Sequence, residues 1–498
     1  MTRYGQTSRI WCVVLLLFVV VSCKPNGNHS RGAGNHDAEG NRTPIAATPL
    51  AGPPRNVLLI TIDSLRWDHV GSYGYDKPTT PKLDAFGESA VRFQRAYAPS
   101  PWTLPSHASL LTGLYPDTHG VDQERSVLGP ELPTLGEILQ AHGYRTGAVV
   151  CAPFLWTFYG LQRGFDTYDT ELMDLLPIKS LRRKVGPDVT KRGLDWIDQN
   201  RDQPFFLFLH YWDVHHDYNP PQEYVDLFDP GYEGDEDGLR IAEREHGELA
   251  PGYPKRDLKH LLALYDGEIR YTDDALGDLL AGLEQRGLMQ NTLIWITSDH
   301  GEEFLDHGQV AHKKTCYEEV IRIPLIVRIP WMETASSVID DAVSLLDFFP
   351  TALDALGIKT KRFLHQGLSL VPAIAKGKRL ERRPLFAETA TGVLPTGNKK
   401  VHWSAMLAPD GVKLHAIRPY GKRRGRLKFS MFDLRLDKEE ANDVAVNRRQ
   451  TANGMKRQFR YNKKTHRKIR KSLHVGEDTQ KNLDKKLDET LKGLGYLQ

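Results

Sequence analysis

The sequence predicts an α/β sandwich built on a mostly parallel sheet. Continuous apolar, β-rich runs recur along the chain, and helical patterns separate them. Polar residues follow directly on two of the runs, where ligands gather in such sheets. The clearest run is Asn56–Ile62 (NVLLITI), unbroken as expected of a strand buried on both faces. Similar runs occupy residues 146–150, 205–209, 292–297 and 324–329. Helical patterns cover residues 260–285 and 344–356. The folded part is expected to begin at Arg55.

At 498 residues the chain is too long for one small core, and it suits a large domain with a smaller companion. Hydrophobic residues make up 40% and charged residues 26%, an ordinary globular composition. The net charge of +3 implies no polyanionic partner. Basic residues crowd residues 456–471, read as a solvated helix or loop. The sharper alternative there is contact with anionic lipid or polysaccharide.

The N-terminus reads as an export signal. Arg3 and Arg9 precede an apolar run over residues 10–21, too short to span a bilayer comfortably. The run stops at Ser22-Cys23, which resembles a bacterial lipobox. Residues 1–22 are therefore expected to be a signal peptide, with Cys23 lipidated. An ordinary secretory signal cut near Ser22 is the alternative. Lys24 leans toward the outer membrane. Residues 23–54, rich in Gly, Asn, Pro and Ala, read as a flexible tether. The expected location is the bacterial cell envelope, lipid-anchored, facing the periplasm or the cell surface. Nucleic acid is no expected partner of an exported chain. Cys151 and Cys316 lie far apart and lack metal-ligand spacing.

Two strand ends carry acids. Asp63 follows the first run, and Asp299-His300 follows residues 292–297. A carboxylate at one strand end and an Asp-His pair at another could share a divalent cation. Between them lies Pro101-Trp102-Thr103-Leu104-Pro105-Ser106-His107, continuing to Leu111-Thr112-Gly113. Thr103 is expected to cap a helix, with Pro105 in its first turn and Gly113 at its end. A hydroxyl among free backbone N–H groups at a helix N-terminus makes a site for a tetrahedral anion.

These motifs resemble the sulfatases, of the alkaline phosphatase superfamily. Their signature runs Cys or Ser, any residue, Pro, Ser, Arg, and on to Thr-Gly; here it reads Thr103-Leu104-Pro105-Ser106-His107 to Thr112-Gly113. Asp63 through His69 and Gly71 through Tyr75 resemble the first metal-ligand segment. Trp212 through Tyr218 resembles the histidine loop, and His312-Lys313 the anion-binding lysine segment. The resemblance implies a catalytic domain over residues 55–385 and a small C-terminal α+β subdomain over 386–498, with the basic tail. It implies a hydrolase of sulfate or phosphate esters, acting on a small-molecule, glycan or lipid ester.

The departures carry chemistry. Ser64 stands where sulfatases place a second Asp, and His300 where they often place Asn. His107 replaces the Arg that supports formylglycine. The Lys and His that usually follow the Gly-Tyr-x-Thr strand are absent around residues 149–153. Thr103 replaces the residue that is oxidised to formylglycine; its β-methyl would yield a ketone instead of an aldehyde. The resemblance assigns the metal to Asp63, Thr103, Asp299 and His300. Few carboxylates with an imidazole favour Zn²⁺ or Mn²⁺ over Ca²⁺. Thr103, His215 and Lys313 are the expected catalytic residues: nucleophile, donor to the leaving oxygen, and anchor of a non-bridging oxygen. His107 and His312 are expected to contact substrate. Besides a hydrolase, two readings stay open. One is a Thr-based phosphodiesterase or phosphoryl or phosphoethanolamine transferase. The other is a non-catalytic binder of a sulfated or phosphorylated glycan.

Overall fold

Eleven strands lead from Asn56 to Ser344 in the computed structural model, among the residues it describes: 55–174, 184–239, 241, 252–394, 397–421 and 425–475. They are β1 (Asn56–Ile62), β2 (Val91–Tyr97), β3 (Arg145–Val149), β4 (Thr167–Asp169), β5 (Phe205–Tyr211), β6 (Thr292–Ser298), β7 (Glu303–Phe304), β8 (Val310–Ala311), β9 (Arg322–Ile323), β10 (Leu325–Arg328) and β11 (Val338–Ser344). The expected signal peptide, the tether and Cys23 lie outside the described residues.

The central sheet runs β11-β2-β10-β6-β1-β5-β3-β4, with β9 beside β2. β1, β5 and β6 are buried along their whole length, which is why their sequences are unbroken apolar runs. They pair in parallel, as do β5 with β3 and β3 with β4. The expected strand over 324–329 forms as β10, but antiparallel to β6 and β2. β2 and β11 escaped the sequence reading: VRFQRAY and VIDDAVS alternate or carry acids, the signature of half-buried strands near a sheet edge.

Successive strand residues point to opposite faces, and the aromatic contacts show the two layers. Phe205 meets Trp196 of the Gly186–Asn200 helix at 5.9 Å between ring centroids. Its neighbour Phe206 meets Phe348 of the Phe348–Ala355 helix at 6.5 Å. Phe208, on the Phe206 face, meets His107 of the Thr103–Thr112 helix at 5.6 Å. The expected helix over 260–285 starts earlier, spanning Lys255–Gln285 against the Gly186–Asn200 helix.

A second, antiparallel sheet follows: β12 (Leu385–Leu394), β13 (Gly397–Leu407), β14 (Val412–Pro419) and β15 (Lys428–Asp433), in sequential order. The Arg449–Ser472 helix packs on it through Ala452, Met455 and Phe459, against Met406, Leu414 and Met431. This corrects the reading of the basic segment as merely solvated. One face of the helix is docked, and its Lys463 is held between Asp117 of the larger domain and Glu388 of β12.

Gly301 shows how tightly the loop after β6 is set. A Cβ there would lie 2.0 Å from the carbonyl oxygen of Glu319, while Gly301 N–H donates to the Val320 carbonyl at 2.7 Å. Gly301→Ala is predicted to cost about 1–3 kcal/mol. An unchanged urea midpoint would count against this placement of the loop.

Candidate active site

Register brings the acids together. Ile62 lies opposite Tyr211 of β5 and Ser298 of β6, so Asp63 and Asp299 leave neighbouring strands at the same edge. Both are fully buried. Ser64 turns the chain with φ 57°, a left-handed conformation rare outside glycine. Its hydroxyl donates to Asp63 Oδ1 at 2.8 Å, and its N–H donates to Asp299 Oδ1 at 3.3 Å. At the position of a third carboxylate, the chain supplies two donors instead.

The Thr103–Thr112 helix starts one residue earlier than expected. Trp102 occupies the cap, and Thr103 is the first helical residue. Its hydroxyl is thereby released from capping. Thr103 Oγ1 lies 3.4 Å from Asp63 Oδ2 and 3.4 Å from His300 Nε2. His300 Nδ1 donates to the Gly301 carbonyl at 2.8 Å, which fixes the tautomer and turns Nε2 toward Thr103.

The ligand atoms of Asp63, Asp299 and His300 all fall within 4.8 Å of one another. Burial raises the pKa of Asp299, and the Asp63 carboxylate raises it further, to about 7. Burial acts the same way on Asp63, but a hydrogen bond from His210 and the charges of His215 and His300 hold it well below the ordinary value. Burial lowers the pKa of His300; Asp299 and Asp63 more than reverse this. Asp299 Oδ2 is buried and accepts no hydrogen bond. Crowded carboxylates, an orphaned carboxylate oxygen and a convergent imidazole fit a divalent cation.

Beneath Thr103 runs a layer that the sequence reading only partly found. His107 does not face an open anion pocket. It is fully buried, with Nδ1–H donating to the Thr103 carbonyl at 2.9 Å. Burial, then His210, lower its pKa to about 3, so the ring is neutral and Nε2 accepts from the Thr61 hydroxyl at 3.1 Å. Thr61 Oγ1 in turn accepts from His210 Nδ1–H at 2.9 Å. His210 Nε2 ends the chain 3.3 Å from Asp63 Oδ2. His210 is the functional-site residue that sequence reasoning missed. It is the one imidazole inside an otherwise apolar strand run, Phe205–Tyr211, and that was the available signal.

The remaining expected residues gather beside this centre. His215 is stacked on Trp212 at 3.8 Å, and its ring lies 4.9 Å from that of His312. His312 lies 4.3 Å from His300 by the same measure. Lys313 has φ 76°, and its Nζ meets Glu124 Oε1 at 2.5 Å and lies 4.7 Å above the Trp102 ring.

The comparisons with known proteins agree with this geometry. The Sulfatase family model matches residues 55–358. The chain belongs to the sulfatase family. As a member it is a hydrolase of sulfate or phosphate esters, and the enzymes of this family use a metal ion. It is 25% identical over 467 residues to arylsulfatase K of Mus musculus, covering 81% of this chain and 80% of that protein. Two solved structures share the fold. BT4656, in complex with its substrate D-glucosamine-2-N,6-O-disulfate, superposes with a TM-score of 0.66 at 20% identity, over 86% of this chain and all of that one. The phosphonate monoester hydrolase of Agrobacterium radiobacter gives 0.64 at 21%, over 83% and 96%.

The raised Asp299 pKa has a stability consequence in cation-free protein. Below about pH 4 the group is protonated in both folded and unfolded chains and contributes nothing. Between about pH 4 and pH 7 only the unfolded chain ionises, so folded stability is lost. Asp299→Asn removes that loss. After chelation at pH 7 the variant is predicted to exceed wild type by on the order of 4 kcal/mol, converging near pH 4. Thermal unfolding at both pH values checks this, and a less stable variant at pH 7 would contradict it.

Proposed function

We propose that this sulfatase-family enzyme is a metal-dependent ester hydrolase that works outside the cytoplasm, with unmodified Thr103 as nucleophile and a preference for phosphorus over sulfur. The position of Thr103 Oγ1, 3.4 Å from both Asp63 and His300 and free of any capping role, carries the reading.

Asp63, Asp299, His300 and Thr103 would hold the cation, with Zn²⁺ or Mn²⁺ favoured by the imidazole and the substitution of Ser64 for an acid. A divalent ion there lowers the pKa of the Thr103 hydroxyl and screens the incoming anion. Thr103 Oγ bonds to phosphorus as the ester bond to the leaving alcohol breaks. The hydroxyl proton passes to solvent, and the alcohol leaves protonated. Water then attacks the phosphothreonine, loses its proton and frees Thr103. Lys313 is assigned to a non-bridging oxygen, displacing Glu124; His215 is assigned to the leaving oxygen and His312 to substrate. The burial of His107 under the Thr103 carbonyl supports a positioning role for it. A sulfated threonine lacks the elimination route open to a formylglycine hydrate, which favours phosphorus.

The same Thr and imidazole set also supports a transferase, in which an alcohol acceptor replaces water. The substrate class is a small-molecule or glycan ester. Among the described residues no helix is long and apolar enough to cross a membrane. The proposed attachment to the membrane is through a lipidated Cys23, which lies outside the described residues.

Thr103→Ala is predicted to lower turnover at least about 10³-fold while leaving the unfolding midpoint near wild type. A panel of aryl sulfate, phosphate monoester, phosphodiester and phosphonate, with and without an alcohol acceptor, ranks the chemistries. Mass spectrometry of the Thr103 peptide should give its encoded mass, or that mass with a phosphoryl adduct after trapping. Sulfate turnover well above phosphoryl turnover would overturn the preference. No turnover of any ester would leave the binder.

Cys23→Ala is predicted to move the protein from the membrane fraction to the soluble one. Equal partitioning of wild type and variant would remove the lipid anchor.

A further inference from the structure

Three buried histidines outside the Asp63–Asp299–His300 set, His215, His216 and His312, bring ligand nitrogens within 4.8 Å of one another. The local fold explains why. β7 and β8 form a short antiparallel ribbon pairing Glu303 with Ala311. The residues just outside that pair, Glu302 and His312, therefore stand opposite each other. His312 Nδ1 donates to Glu302 Oε1 at 3.0 Å, and the Tyr218 hydroxyl holds Glu302 Oε2 at 2.9 Å. Glu302 is itself fully buried. His215 and His216 come from the turn after β5, at the same sheet edge, and His215 Nδ1 donates to the His216 carbonyl at 2.5 Å.

The tautomers follow from these partners. A carboxylate and a carbonyl only accept, so His312 and His215 both carry their proton on Nδ1. Each then presents an Nε2 lone pair to the cluster. A carboxylate behind the distal nitrogen of a histidine is the arrangement that orients metal-binding imidazoles and raises their basicity. Imidazole nitrogens suit Zn²⁺ or another borderline ion and offer little to Ca²⁺. The cluster also adjoins the first centre, since the His312 ring is 4.3 Å from that of His300.

We propose that His215, His216 and His312 form a second transition-metal site, making the active site a two-metal centre. The inference rests on the metal-dependent hydrolase reading above and changes two parts of it: His312 would hold a cation instead of contacting substrate directly, and the role of His215 changes too. His215 would act on the leaving or attacking oxygen through a bound cation instead of through its own proton. Two cations side by side clamp both oxygens of an in-line displacement at phosphorus. The sequence carries this in His215-His216 and in Glu302 with His312 ten residues on, a spacing that only the ribbon makes meaningful.

The test is metal stoichiometry of the full chain. Chelator-stripped protein is titrated with Zn²⁺ and its bound zinc measured by elemental analysis after gel filtration. Two zinc per chain are expected for wild type, one for His312→Gln and for His216→Gln, and one for Asp299→Ala. Titration of wild type with Co²⁺ gives a second readout independent of any variant's folding, with visible absorption growing through two equivalents. One equivalent in both titrations, lost in Asp299→Ala and kept in His312→Gln, overturns the second site and leaves the single-metal hydrolase standing. No bound metal in wild type overturns both.

Discussion

Two carboxylates end neighbouring parallel strands in a water-poor edge of the sheet, and the rest of the centre answers that fact. Asp63 and Asp299 are placed by the register of β1 against β6, which side-chain chemistry cannot shift without turning apolar residues out of the core. Burial first, and then their mutual repulsion, raise the pKa of Asp299, and a buried like-charge pair is tolerable only with compensation. The chain provides it in three forms: donors from Ser64, imidazoles from His210 and His300, and the room for a cation. Replacing a third acid by Ser64 lowers the negative charge of the site. A softer, nitrogen-liking ion then becomes the better fit than a hard one.

The same constraint explains the layer beneath Thr103. A nucleophile at the first position of a helix is held by its backbone as much as by its side chain. His107 grips the Thr103 carbonyl one turn along, Thr61 grips His107, and His210 grips Thr61 before meeting Asp63. The backbone of Thr103 is thus tied through buried hydrogen bonds to His210, whose Nε2 lies 3.3 Å from Asp63 Oδ2. An arginine at position 107 would bring a fixed charge into this layer. A neutral histidine does not, which suits the proposed unmodified hydroxyl nucleophile, Thr103, with no aldehyde hydrate to support.

How much of this was legible depended on whether the signal was local. Strands buried on both faces announce themselves as apolar runs, so β1, β5 and β6 were read nearly to the residue. β2 and β11 were not, because half-buried strands dilute that signal. The acids at strand ends were legible because polar residues directly after an apolar run are exposed to notice. His210 falls just past the run as read, 205–209, and was passed over, although the strand continues to Tyr211. The helix start was placed at Trp102 by the structure and at Thr103 by the sequence, a one-residue difference that decides whether the hydroxyl caps or reacts. The docking of Arg449–Ser472 was hidden because its apolar positions are few and its charge dominates the composition.

The lysine segment completes the argument. Lys313 is held in left-handed backbone beside Ala311, itself at φ 62°, and non-glycine residues stay in that region only where the surroundings enforce it. Enforcement is visible: Lys313 N–H donates to the Pro101 carbonyl at 2.8 Å, and Thr389 of β12 donates to the Lys313 carbonyl at 3.0 Å. The ammonium is thereby suspended over Trp102, next in sequence to the nucleophile, with Glu124 as its resting partner. A surface lysine would not need a backbone pinned from two directions. The proposed role for Lys313, meeting an anion beside Thr103 after giving up Glu124, would need it. The small sheet domain thus contributes to the centre without lending it a side chain, by fixing from β12 the turn on which the lysine stands.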